Sequence, residues 1–217
     1  MRSILIILAL GLVACSGARE TDKLLAKVWE RDQSIREQMV MLTKAVTAEG
    51  RTDLIDSLIV TSETMERIDA ENMGIINSLL REELPQHLSS DSYKTIWIVI
   101  DHAPLEKQER YLPLIEQMAQ KGLIDADNYA LLYDRIAMKQ NRPQRYGSQA
   151  VQFGTPDNMS LYIYPVQDAY ALDSLRATVG LSPLADYLKQ LTETQGIEAK
   201  FIPDMTVEQL NNLRYSM

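Results

Sequence analysis

Apolar residues recur at helical spacing through most of this chain, and this periodicity is the feature that most restricts its fold. Between residues 23 and 48 they lie three, four or seven positions apart, which places them on one face of an α-helix. That face carries Leu24, Val28, Ile35, Met39, Leu42 and Val46. Gly50 follows, where such a helix is expected to end. The sequence therefore predicts a long amphipathic helix near the N-terminus.

The same pattern predicts further helices joined by short loops. A second helix begins at the N-cap-like pair Thr52-Asp53 and ends before Pro85. The apolar run 96–100 suits either a strand or a buried helix, and the cap-like pair Ser90-Asp91 favours a helix over 91–103. Four more helices are expected at 105–120, 125–139, 168–179 and 184–194, with a short last one at 206–213.

One segment departs from the helical pattern. Residues 150–153 and 161–164 flank a turn cluster that runs from Gly154 to Asn158, which is typical of a β-hairpin. We therefore predict a mainly α fold. It comprises a single helical domain over residues 23–217, with about six to eight helices and a small β-hairpin near residues 148–165.

The N-terminus has the form of a lipoprotein signal peptide. Arg2 precedes an apolar run that is too short to span a bilayer, and the run ends in the lipobox Leu12 to Cys15. We expect residues 1–14 to be removed, Cys15 to carry lipid such as palmitate, and residues 15–22 to form a tether. Ser16 after the cysteine favours the outer membrane of a bacterial envelope. The alternative is an uncleaved anchor helix with an incidental cysteine.

Composition excludes several classes of function. The formal net charge of −8 makes nucleic acid an unfavourable partner. The single cysteine cannot form a disulfide within the chain. The standard nucleotide, dinucleotide and serine-hydrolase motifs are missing from the sequence, so we expect no cofactor. The expected partners are the membrane, through the lipid on Cys15, and a small molecule or peptide.

Polar residues interrupt the apolar helical faces. Asp32 lies four residues after Val28, on the stripe that the first helix buries. A carboxylate buried there without a partner would cost several kcal/mol. Arg36, one turn later, can reach it as an i,i+4 pair. Asp69 and Asn72 interrupt the second helix in the same way.

Further polar residues follow apolar segments later in the chain. Asp101-His102 comes directly after the run 96–100, and Asp134-Arg135 interrupts the helix expected at 125–139. The loop 143–149 then offers Gln144, Tyr146 and Gln149 around a glycine that lets the backbone approach a ligand closely.

With these residues the chain resembles a bacterial family known as domain of unknown function 6624. The likeness covers residues 24–191 and rests on matching short segments. They are Asp32-Gln33 with Arg36, Asp69 with Asn72, His102-Ala103 followed by Gln108 and Leu112-Pro113, Tyr129 to Arg135, Gln144 with Tyr146 to Gln149, and Asp173 to Leu181. The family pattern has Thr where Ser148 stands and a Gln-His-Ala/Asp segment where residues 101–104 stand. No activity is assigned to the family, so the resemblance implies a shared site without naming its use.

Inward polar residues from several helices favour a ligand-binding pocket. We expect an envelope lipoprotein whose helical domain binds a small polar ligand or a peptide end between helices. The candidate pocket residues are Asp32, Arg36, Asp69, Asn72, His102, Asp134, Arg135, Gln144, Tyr146 and Gln149.

Two other functions stay open at this point. An enzyme of hydrolase or lyase type would use His102 as general acid or base with a carboxylate, while Arg36 or Arg135 stabilises negative charge. A structural or assembly lipoprotein would use the same polar residues only to fix how its helices meet.

No metal site is predicted from the sequence. Two histidines in unlike contexts and one cysteine do not make a zinc site. An oxygen-only cation site from Asp32, Asp69, Asn72 and Asp134 would be unspecific.

Overall fold

The computed structural model describes residues 3–81, 84–155 and 158–216, with side chains for 17–81, 84–155 and 159–215. Residues 1–2 and the side chain of Cys15 lie outside this description, so cleavage and lipidation remain predictions. The helix end expected near Glu82-Glu83 and the turn centre Pro156-Asp157 also lie outside it. Within the described part of the chain, no helix has both the length and the apolar character needed to cross a membrane.

The chain divides into two compact units, Met1–Ala103 (unit 1) and Pro104–Met217 (unit 2). The single domain over residues 23–217 stays a prediction. The division falls in the short link between two of the predicted helices. Each unit is therefore described by itself.

Unit 1 is helical. It comprises α1 (Ser3–Thr47), a 3-10 turn (Thr52–Leu54), α2 (Ile55–Leu79) and α3 (Ser90–His102), and α1 packs against both α2 and α3. The residues 15–22 that we expected to be a tether belong to α1. The apolar run 96–100 is helical, as the cap-like pair before it indicated, although the N-cap is Ser89, whose hydroxyl accepts the Ser92 N–H.

The buried stripe of α1 is shifted from the predicted one by a single residue at its start. The inward positions of α1 are 25, 28, 32 and 35, which are three, four and three residues apart. Leu25 is therefore fully buried, whereas Leu24 is 39% exposed. Asp32 occupies the third inward position of this stripe, between Val28 and Ile35, and is 1% exposed. The stripe therefore carries a carboxylate into the interior, as the periodicity predicted.

Unit 2 combines helices with a small sheet. Its helices are α4 (Leu105–Gln120), α5 (Ala126–Lys139), α6 (Leu172–Thr178), α7 (Leu184–Gln195) and α8 (Val207–Ser216). The strands β1 (Ala150–Thr155) and β2 (Asn158–Ile163) pair antiparallel, with Val151 opposite Tyr162 and Phe153 opposite Ser160. The mainly α prediction with a hairpin is confirmed.

Two local features of unit 2 differ from the sequence prediction. A third strand, β3 (Ala199–Lys200), joins the sheet parallel to β2, and its two residues are too short a segment for alternation to detect. The sixth helix begins at Leu172 instead of residue 168. The reason is that the Asp168 carboxylate accepts the N–H groups of Tyr170 and Ala171, which favours a turn at that point.

Candidate functional site

Three helices of unit 1 bring a histidine and two carboxylates together. Asp32 comes from α1, Asp69 from α2, and His102 is the last residue of α3. The Asp32 side chain is 1% exposed, whereas those of Asp69 and His102 are 21% and 18% exposed. The site is therefore buried at its Asp32 end and accessible at the other.

Asp32 makes the contact that orients the histidine. Its Oδ1 atom lies 3.1 Å from Nδ1 of His102, and its Oδ2 atom accepts a hydrogen bond of 2.8 Å from the Gln33 side-chain amide. An ionised carboxylate can only accept, so Nδ1 of His102 must carry the proton. Nε2 is then the imidazole nitrogen that is left for another partner.

Arg36 joins the two carboxylates. Its Nη1 atom lies 3.1 Å from Asp32 Oδ1 and donates to the Asp32 backbone carbonyl at 3.2 Å. Its Nη2 atom donates to both oxygens of Asp69, at 2.8 and 3.0 Å. We call Asp32, Arg36, Asp69 and His102 the His102 cluster. With a neutral imidazole, the cluster has a formal charge of −1.

The electrostatics keep Asp32 ionised despite its burial. Burial by itself raises the pKa of this carboxyl group. The hydrogen bond of His102, its positive charge when the ring is protonated, and the Arg36 guanidinium together outweigh burial and hold the pKa of Asp32 below its ordinary value of 3.8. Asp32 is therefore a fixed negative charge beside the imidazole at neutral pH.

Asn72 lies in a neighbouring network instead of the His102 cluster. Its Oδ1 atom accepts hydrogen bonds from Nε and Nη2 of Arg31, the former at 3.1 Å, and Arg31 also pairs with Glu71 at 2.8 Å. Asn72 is fully buried, and its Nδ2 atom has no hydrogen-bond partner among the described residues. This side chain therefore supports the α1–α2 packing, and both N–H groups of its amide lack an acceptor among the described residues.

The other five candidate residues belong to unit 2, where Asp134 organises a loop. Asp134 is fully buried and accepts the backbone N–H groups of Arg145, Tyr146 and Ser148 at 2.8–3.1 Å, as well as the Ser148 hydroxyl at 2.9 Å. Burial raises the pKa of Asp134, and these hydrogen bonds oppose the rise only in part. Its carboxylate is directed at the protein's own backbone. Arg135, next to it on α5, is partly buried.

The loop that follows α5 is tied down by its own side chains as well. The Gln144 side-chain amide donates to the carbonyls of Gln149 and Tyr164 at 3.0 and 2.6 Å, and its Oε1 accepts the Gln149 N–H at 2.8 Å. Gly147 has a φ of +63°, and a Cβ at this position would lie 3.3 Å from the Leu172 side chain. The Gln149 side-chain amide donates to the Leu131 carbonyl at 3.3 Å. The side chains of Gln144 and Gln149 therefore both hold this loop in place.

Sequence reasoning missed one buried charge in unit 2. Arg176 is 1% exposed and donates to the carbonyls of Tyr146 and Gly147 at 2.8 and 3.1 Å and of Ser182 at 2.6 Å. It lies four residues after Leu172, on the buried side of α6. The periodicity argument that singled out Asp32 would have detected it.

Unit 1 also has a cavity of about 610 Å³, at the N-terminal end of α3 and away from His102. Asp22 lines it and accepts the N–H and hydroxyl of Ser89 and the hydroxyl of Ser92 at 2.6–3.2 Å. The Asp22 carboxylate therefore already occupies the position at this helix N-terminus where an anion would bind.

Comparison with known proteins gives one match. The sequence model of a family described as "Family of unknown function (DUF6624)" matches residues 20–200. Neither the curated proteins nor the solved structures include a match to this chain. The family match covers the His102 cluster and the Asp134 loop alike, and it confirms the resemblance noted in the sequence. The chain belongs to the DUF6624 family.

Proposed function

We propose that this protein binds a small polar ligand at the His102 cluster and that Nε2 of His102 meets the ligand. The observation that carries the proposal is the contact of 3.1 Å between His102 and a carboxylate that is 1% exposed, within a group drawn from three helices. A buried charge network is expensive to maintain, and such arrangements concentrate at functional sites.

The geometry also indicates the chemistry of the ligand. Because Nδ1 of His102 donates to Asp32, Nε2 of the neutral ring is an acceptor, and it suits a hydroxyl or amine on the ligand. Both terminal nitrogens of Arg36 are directed at Asp32 and Asp69, so this cation is poorly placed to bind an anion. The formal charge of −1 favours neutral or cationic ligands over dicarboxylates and phosphates.

A thermal-shift screen of the full chain tests this proposal. The library contains amino acids, amines, sugars and nucleosides, with dicarboxylates and sugar phosphates as the disfavoured classes. His102→Gln should abolish the shift that a hit produces, whereas His87→Asn, at an exposed histidine with a φ of +63°, should leave it unchanged. A hit that raises the melting temperature of His102→Gln as much as that of the wild type would contradict the proposal.

A second function, acid–base catalysis, is favoured by the same Asp32 contact. A carboxylate on Nδ1 fixes the tautomer and stabilises the imidazolium that forms when Nε2 takes a proton. The full chain should then hydrolyse or cleave a member of a chromogenic ester, amide, phosphate or glycoside panel. His102→Gln should remove that activity, and Asp32→Asn should lower kcat while the protein stays folded. Activity that survives His102→Gln rules this function out.

We further propose that the protein works at the bacterial envelope, held by lipid on Cys15. The lipobox Leu12 to Cys15 and the small residue Ser16 after it support this location. When cells that express the chain are grown with labelled palmitate, the wild type should incorporate the label and Cys15→Ala should not. Equal labelling of both proteins would contradict the proposed anchor.

A further inference from the structure

We infer that the ligand site at His102 takes a divalent transition-metal ion, held by Asp32, Asp69 and His102. The Nδ1 atom of His102, which lies 3.1 Å from Asp32, would transfer its proton to Nε2 in order to coordinate the ion. The inference rests on the proposed function, because it names the first component that the same site would bind. One donor atom from each of the three residues lies within 4.8 Å of the other two. Neighbouring ligand atoms that share a first-row metal ion at about 2.0–2.2 Å are about 2.8–3.6 Å apart, so the three donors would move closer together around the ion.

The donor set selects the class of metal. One imidazole and two carboxylates suit Zn²⁺, Mn²⁺ or Fe²⁺, whereas Ca²⁺ prefers six or more oxygen atoms. Three protein ligands leave at least one coordination position open, which is the arrangement of catalytic sites as opposed to structural ones. A polar ligand with a hydroxyl or amine could occupy that position.

Arg36 is the cation that the metal would replace. Its guanidinium bridges the two carboxylates, at 3.1 Å from Asp32 and 2.8 Å from Asp69. A divalent ion between the same oxygens would neutralise both charges and repel the guanidinium. The Arg36 side chain is 22% exposed, so its end has a path towards solvent. The metal and Arg36 therefore compete for one position.

This competition gives substitutions with opposite expected effects. Removing a donor, in Asp69→Asn or His102→Gln, should weaken metal binding by at least about tenfold. Removing the competing cation, in Arg36→Met, should strengthen it by about 10- to 100-fold, the size of effect that groups around a metal site usually have. The matched controls are Arg67→Met, which removes an exposed i,i+4 pair with Glu71, and His87→Asn.

The experiment is calorimetric titration of the untagged full chain with Zn²⁺, Mn²⁺ and Ca²⁺, after treatment with a chelator. Circular dichroism checks that each variant is folded. The expected result is one Zn²⁺ or Mn²⁺ ion per chain, weaker binding in Asp69→Asn and His102→Gln, tighter binding in Arg36→Met, and no change in the two controls. The use of two donor variants keeps the test decisive if one of them fails to fold.

Three results would overturn the inference. The first is that the wild type binds neither Zn²⁺ nor Mn²⁺. This includes the case in which the Arg36→Met variant alone binds the metal, because Arg36 would then be the permanent cation of the site. The second is metal binding that persists in both donor variants. The third is a preference for Ca²⁺. If an organic ligand still binds in the presence of a chelator, and its binding depends on His102, the proposed function is supported and the metal site is ruled out.

Discussion

Replacing Arg36 with Met should destabilise unit 1 far more than a matched surface substitution. Methionine keeps much of the length and apolar volume of the arginine stem, so the main change is loss of the guanidinium. Among the described residues, Asp32, at 1% exposure, would keep His102 and Gln33 as its side-chain partners. Asp69 would lose a guanidinium that now contacts both of its carboxylate oxygens.

The expected size of this effect follows from the burial of the partners. Removing one member of a fully buried ion pair costs about 3–5 kcal/mol, and an exposed pair contributes about 0–1 kcal/mol. Arg36 and Asp69 are each about one-fifth exposed, whereas Asp32 is buried. We therefore expect Arg36→Met to lower the free energy of unfolding by about 2–3 kcal/mol.

Urea unfolding followed by circular dichroism measures this difference, with Arg67→Met as the control. Arg67 also forms an i,i+4 pair, with Glu71, but both side chains are largely exposed, so its loss should cost about 0.5 kcal/mol or less. The double variant Asp32→Asn with Arg36→Met should recover part of the loss, because the uncompensated buried charge is gone. If Arg36→Met costs no more than Arg67→Met, the reasoning about the His102 cluster is refuted.

Three further predictions concern the ionisation and hydrogen bonding of the buried carboxylates. Because the folded-state pKa of Asp32 is lowered, its ionisation stabilises the fold above its ordinary pKa of 3.8, and this stability is lost as the pH falls through the folded-state pKa. The stability of Asp32→Asn towards acid unfolding should therefore depend less on pH than that of the wild type below about pH 4. An unchanged dependence would contradict this prediction. Nitrogen-15 NMR should find neutral His102 protonated at Nδ1 and His87 without this preference, and protonation at Nε2 of His102 would refute the Asp32 contact. Asp134→Asn should lower the free energy of unfolding in urea by about 2–4 kcal/mol, because one oxygen that accepts hydrogen bonds from the 145–148 loop is replaced by an NH₂ group, which donates. A decrease below about 0.5 kcal/mol would exclude a role for Asp134 in holding this loop.

The sequence was sufficient for most of the secondary structure, because helical periodicity is a local property. The apolar run before His102 shows the limit of that approach, since only the preceding cap favoured a helix there. The strand β3 escaped prediction because its two residues, Ala199 and Lys200, are defined by pairing with β2 and carry no pattern of their own.

The candidate site could be predicted only in part. An aspartate on a buried stripe identifies a paired charge, and Arg36 was within reach one turn later. The stripe does not identify partners from other helices, so the contacts of Asp32 with His102 and of Arg36 with Asp69 required three-dimensional structure. Asp134 gave the same sequence signal as Asp32, although its hydrogen bonds go to backbone N–H groups of the following loop. Periodicity does not distinguish a side chain that binds a ligand from one that holds a loop.

In the proposed function, His102, oriented by buried Asp32, forms the binding site of this protein. Calorimetric titration of the strongest screening hit against wild type, His102→Gln and His87→Asn tests it most directly. We predict that His102→Gln weakens binding by about tenfold or more, or about 1.4 kcal/mol, while His87→Asn binds as the wild type does. Equal affinity of the wild type and His102→Gln would contradict the claim.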